Sequence, residues 1–181
     1  LEKVKAGVAS WKLGDPRDED VVVGPMVEGP HFEKVKSFIA TTEKEGGKLV
    51  QGGKIHSELG SGWYIEPTIF DNVTADMTLF QQEVFGPILA VTTFTSEEEA
   101  VALANDSSYG LAASLYTENL RCAQRVSRAI RAGTVSINGF SEGDITTPFG
   151  GFKQSGFGGR DKGLEALQQY VQTKTIWYVQ D

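Results

Sequence analysis

Residues 87–94, PILAVTTF, are a short apolar run of the kind that is buried on both faces in a parallel sheet. The run is followed by Ser96-Glu97-Glu98-Glu99, in which a serine and a glutamate three residues later form a capping box that starts a helix. Two further strands are predicted, at Leu111–Tyr116 and at Thr134–Asn138. The order strand, helix, strand, helix, strand predicts an α/β fold with a parallel sheet and right-handed crossovers.

The two helices between these strands are predicted from apolar residues at helical spacing. The first carries its stripe on Ala100, Val101, Leu103 and Ala104. The second is expected to begin at a Thr117 cap and to end at Gly133. Its predicted buried face consists of Leu120, Ala123, Val126, Ala129 and Ile130.

The chain before residue 87 is predicted to hold two helices and short extended segments. The first helix places Leu1, Val4 and Val8 on one face. The second runs from Pro30 to the stop at Gly46-Gly47, with its apolar stripe on Phe32, Val35, Phe38 and Ile39. A strand is predicted at Lys48–Gln51, and an extended segment at Trp63–Phe70.

After residue 138 the sequence predicts a long glycine-rich loop over 139–160, a short helix over 161–170, and a final strand over Lys174–Val179. The final strand is rich in aromatic and β-branched residues and would be prone to aggregate if left unpaired.

Composition excludes several classes of protein. The 181 residues carry 17 basic and 24 acidic side chains, for a net charge of −7, and a binder of nucleic acid or anionic membrane would show a basic face instead. One cysteine and two histidines exclude a disulfide framework and a zinc cluster. No apolar run approaches the length of about 20 residues that a membrane span needs, and no signal-peptide core is present, so we expect a cytoplasmic protein.

The glycine-rich loop from Phe149 to Arg160 does not match a nucleotide-binding loop. A Walker loop needs Ser or Thr directly after its lysine and a glycine five residues before it. Here Lys153 is followed by Gln154, and Pro148 stands five residues before it. The spacing favours a tight loop whose glycines let backbone segments pack closely.

The segment Glu83-Val84-Phe85-Gly86-Pro87 predicts a rigid corner, because Gly86 permits close backbone approach and Pro87 forces an extended entry to the strand. Two interpretations of Glu83 stay open from the residues alone. It is either a solvated turn acid or a fixed carboxylate at a ligand-binding sheet edge.

Cys122 is the sole thiol and is predicted to lie in the middle of a helix, next to Arg121 and Arg125. We interpret it as a structural or surface thiol, because no histidine lies near it in the sequence to serve as a base. His31 and His56 are 25 residues apart and show no metal-ligand spacing.

Five motifs follow one another along the chain: Gly24-Pro25, Glu66-Pro67-Thr68, Glu83-Val84-Phe85-Gly86-Pro87, Ala104-Asn105 with Tyr109-Gly110-Leu111, and Pro148-Phe149-Gly150-Gly151 with Lys153 and Ser155-Gly156. In these motifs, and over nearly all of its length, the chain resembles the NAD(P)-dependent aldehyde dehydrogenases. Glu142–Pro148 and Lys174–Trp177 are most similar to bacterial aminoaldehyde members of that family.

The resemblance implies a three-layer α/β fold with a parallel or mixed sheet, in which residues 1–172 form the C-terminal part of the catalytic domain. Residues 173–181 would be a strand of the oligomerisation sheet in a homodimer or homotetramer. It also implies oxidation of an aldehyde to a carboxylic acid with NAD or NADP as cofactor. The expected substrate is an aminoaldehyde such as gamma-glutamyl-gamma-aminobutyraldehyde, from putrescine degradation.

The resemblance assigns site residues at matching positions. Glu83 would bind the hydroxyls of the nicotinamide-side ribose, Phe85 would pack beside the nicotinamide, and His31 and Lys34 would contact ribose. On the substrate side, Phe149 matches an aromatic of the aldehyde tunnel. Asp144 lies at the tunnel mouth and is either a partner for a substrate amine or a turn acid.

The family's nucleophilic cysteine and catalytic glutamate would lie upstream of Leu1, and Cys122 does not replace that nucleophile. We therefore expect the isolated chain to be inactive, as the C-terminal portion of a larger enzyme. The alternative is a non-catalytic binding or assembly module derived from the same fold.

Overall fold

The computed structural model describes residues 1–141 and 143–180, and these residues divide into two compact units. The first unit covers Leu1–Phe94, and the second begins at Thr95. The expectation of an α/β fold is confirmed, since helices accompany a mixed sheet in the first unit and a parallel strand pair in the second.

The first unit contains three α-helices and a three-stranded sheet. In chain order these are α1 (Glu2–Ala9), α2 (Gly29–Glu45), β1 (Lys48–Gln51), β2 (Thr68–Asp71), α3 (Thr78–Gln81) and β3 (Ile88–Ala90). Strand β1 runs antiparallel to β2, and β2 runs parallel to β3 with Thr68 opposite Ile88. The central strand β2 is therefore the one that the unit buries.

Helix α2 forms where the sequence predicts it. Pro30 stands in its first turn, where a missing N–H costs nothing. Gly46 ends it with φ 99°, a left-handed conformation that favours glycine. The predicted stripe is confirmed, because Val35, Phe38 and Ile39 are buried and Phe32 packs against the same cluster.

The core of the first unit lies between the buried face of α2 and the sheet. Phe70 of β2 and Val35 of α2 are both 0% exposed, and Ile65 is 1% exposed. At the end of α2, Glu45 accepts hydrogen bonds from the backbone N–H and the hydroxyl of Thr78. This contact ties the start of α3 to α2 and so fixes the chain just before the corner at residues 83–87.

Among its described residues, the second unit contains two α-helices and two strands: α4 (Glu97–Asn105), β4 (Ala112–Leu115), α5 (Leu120–Ala129) and β5 (Thr134–Ile137). Strands β4 and β5 pair in parallel, with Ala112 opposite Thr134. The Ser96 cap is confirmed, since its Oγ accepts from the N–H of Glu99 at 3.1 Å.

The start and the buried face of α5 differ from the prediction. Its cap is Asn119, whose Oδ1 accepts from the N–H of Cys122, whereas Thr117 accepts from the N–H of Asn119 one step earlier. Ala123 and Val126 are buried as predicted, but Leu120 is 72% exposed. The side chains of Thr117 and Asn119 each accept a bond from a backbone N–H further along the chain. Both residues are therefore plausible caps in the sequence, and the second is the one that begins the helix.

The predicted three-stranded parallel sheet is not formed as one hydrogen-bonded unit. The run 87–94 supplies the short strand β3, whose partner is β2, while β4 pairs with β5. The segment Trp63–Phe70 was predicted to be extended, without a partner strand. Its last residues form part of β2, which pairs with β3.

The C-terminal part also differs from the prediction. The short helix is a 3₁₀ helix over Leu164–Tyr170. Among the described residues 171–180 there is no helix or strand, and Trp177 and Tyr178 are 84% and 83% exposed. A strand needs a partner for its backbone groups, and this segment pairs with none of the described strands. Among the described residues, no helix is long and apolar enough to cross a membrane.

Replacing Phe70 with alanine is expected to lower the free energy of unfolding by about 3–5 kcal/mol, because a fully buried ring leaves a cavity. Phe94 belongs to the same unit and is 60% exposed, which makes Phe94→Ala a matched control with a change below about 0.5 kcal/mol. Urea unfolding of both variants measures the difference. Equal stabilities of the two would contradict the position of the core.

Candidate functional site

The corner Glu83–Pro87 joins α3 to β3 and presents its side chains in alternation. Val84 is 8% exposed and belongs to the core, whereas Phe85 is 76% exposed and Glu83 is exposed as well. Phe85 has φ 58°, a left-handed conformation that a bulky residue seldom adopts. The surrounding structure therefore holds this ring outward against a local backbone cost.

Gly86 allows the corner to lie directly on helix α2. A Cβ at Gly86 would come within 2.8 Å of Cγ2 of Val35, which is fully buried. After Gly86, the carbonyl of Pro87 accepts from the N–H of Thr68 at 2.8 Å, so the chain enters the sheet at once. The predicted close approach is found, but the entry to the strand is bent rather than extended. The N–H of Ile88 donates to the carbonyl of Gly86 at 2.7 Å, which closes a tight turn around Pro87.

Two side chains of α2 hold the corner through its backbone. Nε2 of His31 lies 2.7 Å from the carbonyl oxygen of Phe85, and Nζ of Lys34 donates to the carbonyl of Glu83 at 3.2 Å. A carbonyl can only accept, so Nε2 of His31 carries the proton. Lys34 also lies over the ring of Phe38, at 5.7 Å from its centroid.

The structure thus brings together all four residues that the resemblance assigns to the cofactor. Glu83 offers an exposed carboxylate, which accepts hydrogen bonds from hydroxyl groups, and Phe85 offers an exposed ring, on which a planar heterocycle can stack. His31 and Lys34 brace the two residues that carry these groups. This arrangement suits a ligand that joins a sugar to an aromatic base.

The second unit carries the predicted substrate residue Phe149 at the start of the glycine-rich loop. Its backbone N–H and carbonyl both bond to Asp161, each at 2.7 Å. Nζ of Lys162 lies 5.3 Å from the centre of the Phe149 ring. The ring is half-buried, and its backbone is fixed by this two-bond bridge.

Asp144 is exposed and is engaged in a turn of its own loop. Its Oδ1 accepts from the N–H of Thr146 at 2.7 Å and from the Thr146 hydroxyl at 2.6 Å, with the Thr147 hydroxyl at 3.5 Å. The bonds from Thr146 lower the pKa of Asp144, so the carboxylate is charged at neutral pH. Of the two interpretations, the turn role is visible, and the role towards a substrate amine stays a prediction.

Cys122 lies in the first turn of α5 rather than in the middle of a helix. Its backbone N–H bonds to the Asn119 cap, and its half-buried thiol contacts the carboxylate of Glu97. Arg125 grips the same carboxylate with bonds of 2.8 and 2.7 Å. The hydrogen bond from Arg125, followed by that from Cys122, lowers the pKa of Glu97. The thiol therefore takes part in a surface ion-pair group, in keeping with a structural role.

Sequence reasoning missed the histidine bridge in the first unit. Nδ1 of His56 contacts Oε1 of Glu58, and Nε2 lies 2.8 Å from Oε1 of Glu66. The hydrogen bonds from Glu58 and then Glu66 raise the pKa of His56, and the bond from His56 lowers the pKa of Glu58. The i, i+2 spacing of His56 and Glu58 was the available signal, but Glu66 is ten residues further on.

Comparison with known proteins identifies the family. The profile of the aldehyde dehydrogenase family matches residues 1–176. This chain belongs to the aldehyde dehydrogenase family. The α/β fold expected from the resemblance to that family is thereby confirmed. Separately, the described residues contain no group of three or more His, Cys, Asp or Glu side chains suited to a metal ion.

Three relatives illustrate the similarity within the family. Aminoacetaldehyde dehydrogenase of Pseudomonas aeruginosa is 49% identical over 177 residues, which cover 98% of this chain and 35% of that protein. The NADP/NAD-dependent aldehyde dehydrogenase PuuC of Escherichia coli is 44% identical over 98% of this chain and 35% of its own length. The solved structure of indole-3-acetaldehyde dehydrogenase AldA of P. syringae, in complex with NAD+ and IAA, has a TM-score of 0.93 and 47% identity.

The chain spans about a third of the length of these relatives. The residues that match AldA make up 98% of this chain and 36% of the AldA chain. The roles of Glu83, Phe85, His31 and Lys34 and those of Phe149 and Asp144 stay predictions, because the comparisons concern the chain as a whole.

The histidine bridge predicts a pH dependence of stability in the first unit. The pKa of His56 is raised above its ordinary value of 6.5, so its contribution is full below that value and is lost as the pH rises through the folded-state pKa. The pKa of Glu58 is lowered from 4.5, so its contribution is present above that value and is lost as the pH falls through the folded-state pKa.

We expect His56→Gln to remove the loss of stability that accompanies the rise of pH above about 6.5. Thermal unfolding of parent and variant over a pH series measures it. His31→Gln replaces the other histidine of the chain and serves as the control. If the control flattens the profile and His56→Gln does not, the bridge is not the cause.

Proposed function

We propose that this chain forms the cofactor-side corner and part of the aldehyde-side wall of an NAD(P)-dependent aldehyde dehydrogenase. The observation that carries the proposal is the corner itself. Its acid and its aromatic ring are displayed to solvent, and its backbone is braced by the two α2 residues that the resemblance also assigns to the cofactor. Membership of the family and the NAD+ complex of a relative with 47% identity support it.

NAD(P)+ supplies the acceptor for hydride when it is bound. The Glu83 carboxylate would accept hydrogen bonds from the ribose hydroxyls, and the Phe85 ring would pack against the nicotinamide. His31 and Lys34 bind the backbone carbonyls of the corner. They lie one turn apart on the same face of α2, and we propose that they also contact the ribose from there. The outward, strained conformation of Phe85 fits a ring that is kept ready for a ligand.

On the aldehyde side, Phe149 contributes an aromatic wall and Asp144 a negative charge. The proposed substrate is an aminoaldehyde such as gamma-glutamyl-gamma-aminobutyraldehyde, of putrescine degradation, which the enzyme oxidises to a carboxylic acid. The relatives named for aminoacetaldehyde and as PuuC support this class.

The nucleophile and the general base of this enzyme are proposed to come from outside these 181 residues. The one cysteine in the chain is Cys122, a half-buried free thiol in the first turn of α5, beside the Glu97–Arg125 ion pair. Residues 1–172 would belong to the catalytic domain, and 173–181 would complete an oligomerisation sheet in a homodimer or homotetramer. A cytoplasmic location also stays a prediction.

The cofactor role is tested by Glu83→Gln in the intact enzyme. Glutamine keeps one acceptor oxygen but loses the charge, so we expect about a tenfold weaker affinity for NAD(P)+ with lower turnover. Equilibrium binding of the cofactor and steady-state kinetics measure the two effects. Glu43→Gln, at an exposed position on α2, is the control. Wild-type affinity and turnover for Glu83→Gln would show that the ribose contact is wrong.

The substrate role of Asp144 is tested by Asp144→Asn. Asparagine retains Oδ1 as the acceptor for Thr146, so the turn is kept while the charge is removed. We expect kcat/KM to fall about tenfold for aminoaldehydes and to stay near the parent value for plain aliphatic aldehydes. Equal effects on both substrate classes would assign Asp144 to the turn alone.

A further inference from the structure

A lysine of the glycine-rich loop closes the end of helix α4. Nζ of Lys153 donates to the carbonyl oxygens of Asn105 and Ser107, both at 2.8 Å. Asn105 is the last residue of α4. Carbonyls at the end of a helix have no partner within it and carry partial negative charge, so a half-buried ammonium group is well placed there.

Backbone bonds on both sides of Lys153 dock the same loop on the same segment. The N–H of Phe152 donates to the carbonyl of Gly110 at 2.8 Å, and the N–H of Gln154 donates to the carbonyl of Ser108 at 3.0 Å. In return, Oγ of Ser155 accepts from the N–H of Gly110 at 3.1 Å. Together with the two Lys153 bonds, these contacts form what we call the loop anchor.

The segment that receives the anchor is itself clamped. Nδ2 of Asn105 donates to the carbonyl of Ala129 at 2.9 Å, and its Oδ1 accepts from the N–H of Arg131 at 2.7 Å. The carbonyl to which Lys153 donates therefore belongs to a residue that also fixes the end of α5. This side of the anchor has little freedom to move.

Backbone packing transmits the anchor to the start of the loop. A Cβ at Gly133 would overlap the carbonyl oxygen of Gly150, and a Cβ at Gly151 would overlap the carbonyl of Ser155. Gly150 follows Phe149 directly. Because backbone touches backbone at these points, a shift of the turn at Lys153–Ser155 moves the chain that carries the Phe149 ring.

Lys153 itself is held in an uncommon conformation. Its φ is 53°, in the left-handed region that side-chain-bearing residues rarely adopt. The two bonds from its ammonium group offset this local cost. Without them, the turn at Lys153–Ser155 would lose the interaction that best explains its conformation.

We propose that Lys153 is a positioning residue that sets the aldehyde preference of the enzyme, by fixing the glycine-rich loop and the Phe149 ring against the end of α4. The proposal rests on the proposed function, in which Phe149 lines the aldehyde site. Displacement of that ring changes the contacts of a bulky aldehyde, whereas a small aldehyde such as acetaldehyde reaches the reacting atoms without leaning on it.

The test compares Lys153→Met with Lys153→Arg in the intact enzyme. Methionine keeps the apolar stem without a donor, and arginine restores a charged group that can donate to both carbonyls. For Lys153→Met we expect the ratio of kcat/KM for phenylacetaldehyde to that for acetaldehyde to fall about tenfold. Lys153→Arg should recover most of this ratio, the KM for NAD(P)+ should stay near the parent value in both variants, and Lys3→Met is the exposed-lysine control.

A readout apart from activity is amide hydrogen exchange. The N–H groups of Phe152 and Gln154 should exchange faster in Lys153→Met than in the parent, while those of β4 and β5 should not change. Should Lys153→Met fail to fold, Ser155→Ala removes a single neutral bond from the same anchor. It should lower the substrate ratio in the same direction and by less.

Two failures can be told apart. If the parent enzyme oxidises no aldehyde with NAD(P)+, the proposed function is wrong. If the parent is active but Lys153→Met, or Ser155→Ala in its place, lowers kcat/KM equally for both aldehydes, or leaves exchange at Phe152 and Gln154 unchanged, Lys153 does not position the aldehyde wall.

Discussion

The absence of a Cβ at a few places is the constraint on which both units depend. Gly86 lets the corner pack directly on Val35. Gly133, the residue before β5, lets the backbone there pack against the carbonyl of Gly150. At each place a second backbone segment or a core side chain occupies the space that a side chain would need. The order of helices and strands could survive a different choice of residues there, but the separation between packed segments could not.

Polar side chains then lock what the glycines bring together, and they do so largely through carbonyl groups. His31 and Lys34 hold the corner, and Lys153 holds the glycine-rich loop. In each case a side-chain donor bonds backbone carbonyls of a second segment: His31 and Lys34 reach from α2 to the corner, and Lys153 reaches from the loop to the end of α4. The groups proposed to meet the cofactor and the aldehyde are therefore displayed by segments that are irregular in secondary structure yet well defined in position.

The sequence predicted local structure well and long-range pairing less well. The stripe on α2, its glycine stop and the strand Lys48–Gln51 follow from short-range periodicity, and each was found. The partner of β3 was missed because β2 follows Pro67 in a segment with no clear alternation. The corner was predicted from Gly86 and Pro87, but the bonds from His31 and Lys34 span 54 and 49 residues and leave no local pattern. Lys153 was tested as a Walker lysine and noted within a family motif, but its role was not predicted, since nothing near it in the sequence identifies the carbonyls that it binds.

Anchoring through the main chain has a consequence for how such a site can change over time. The grip of His31 and Lys34 on the carbonyls of Phe85 and Glu83 does not depend on which side chains those two residues carry. Substitution at either position can alter what the corner recognises while the scaffold keeps its geometry. The side chains that recognise a ligand at the corner can therefore be exchanged one at a time. In this way one fold can come to bind different ligands while each intermediate sequence stays folded.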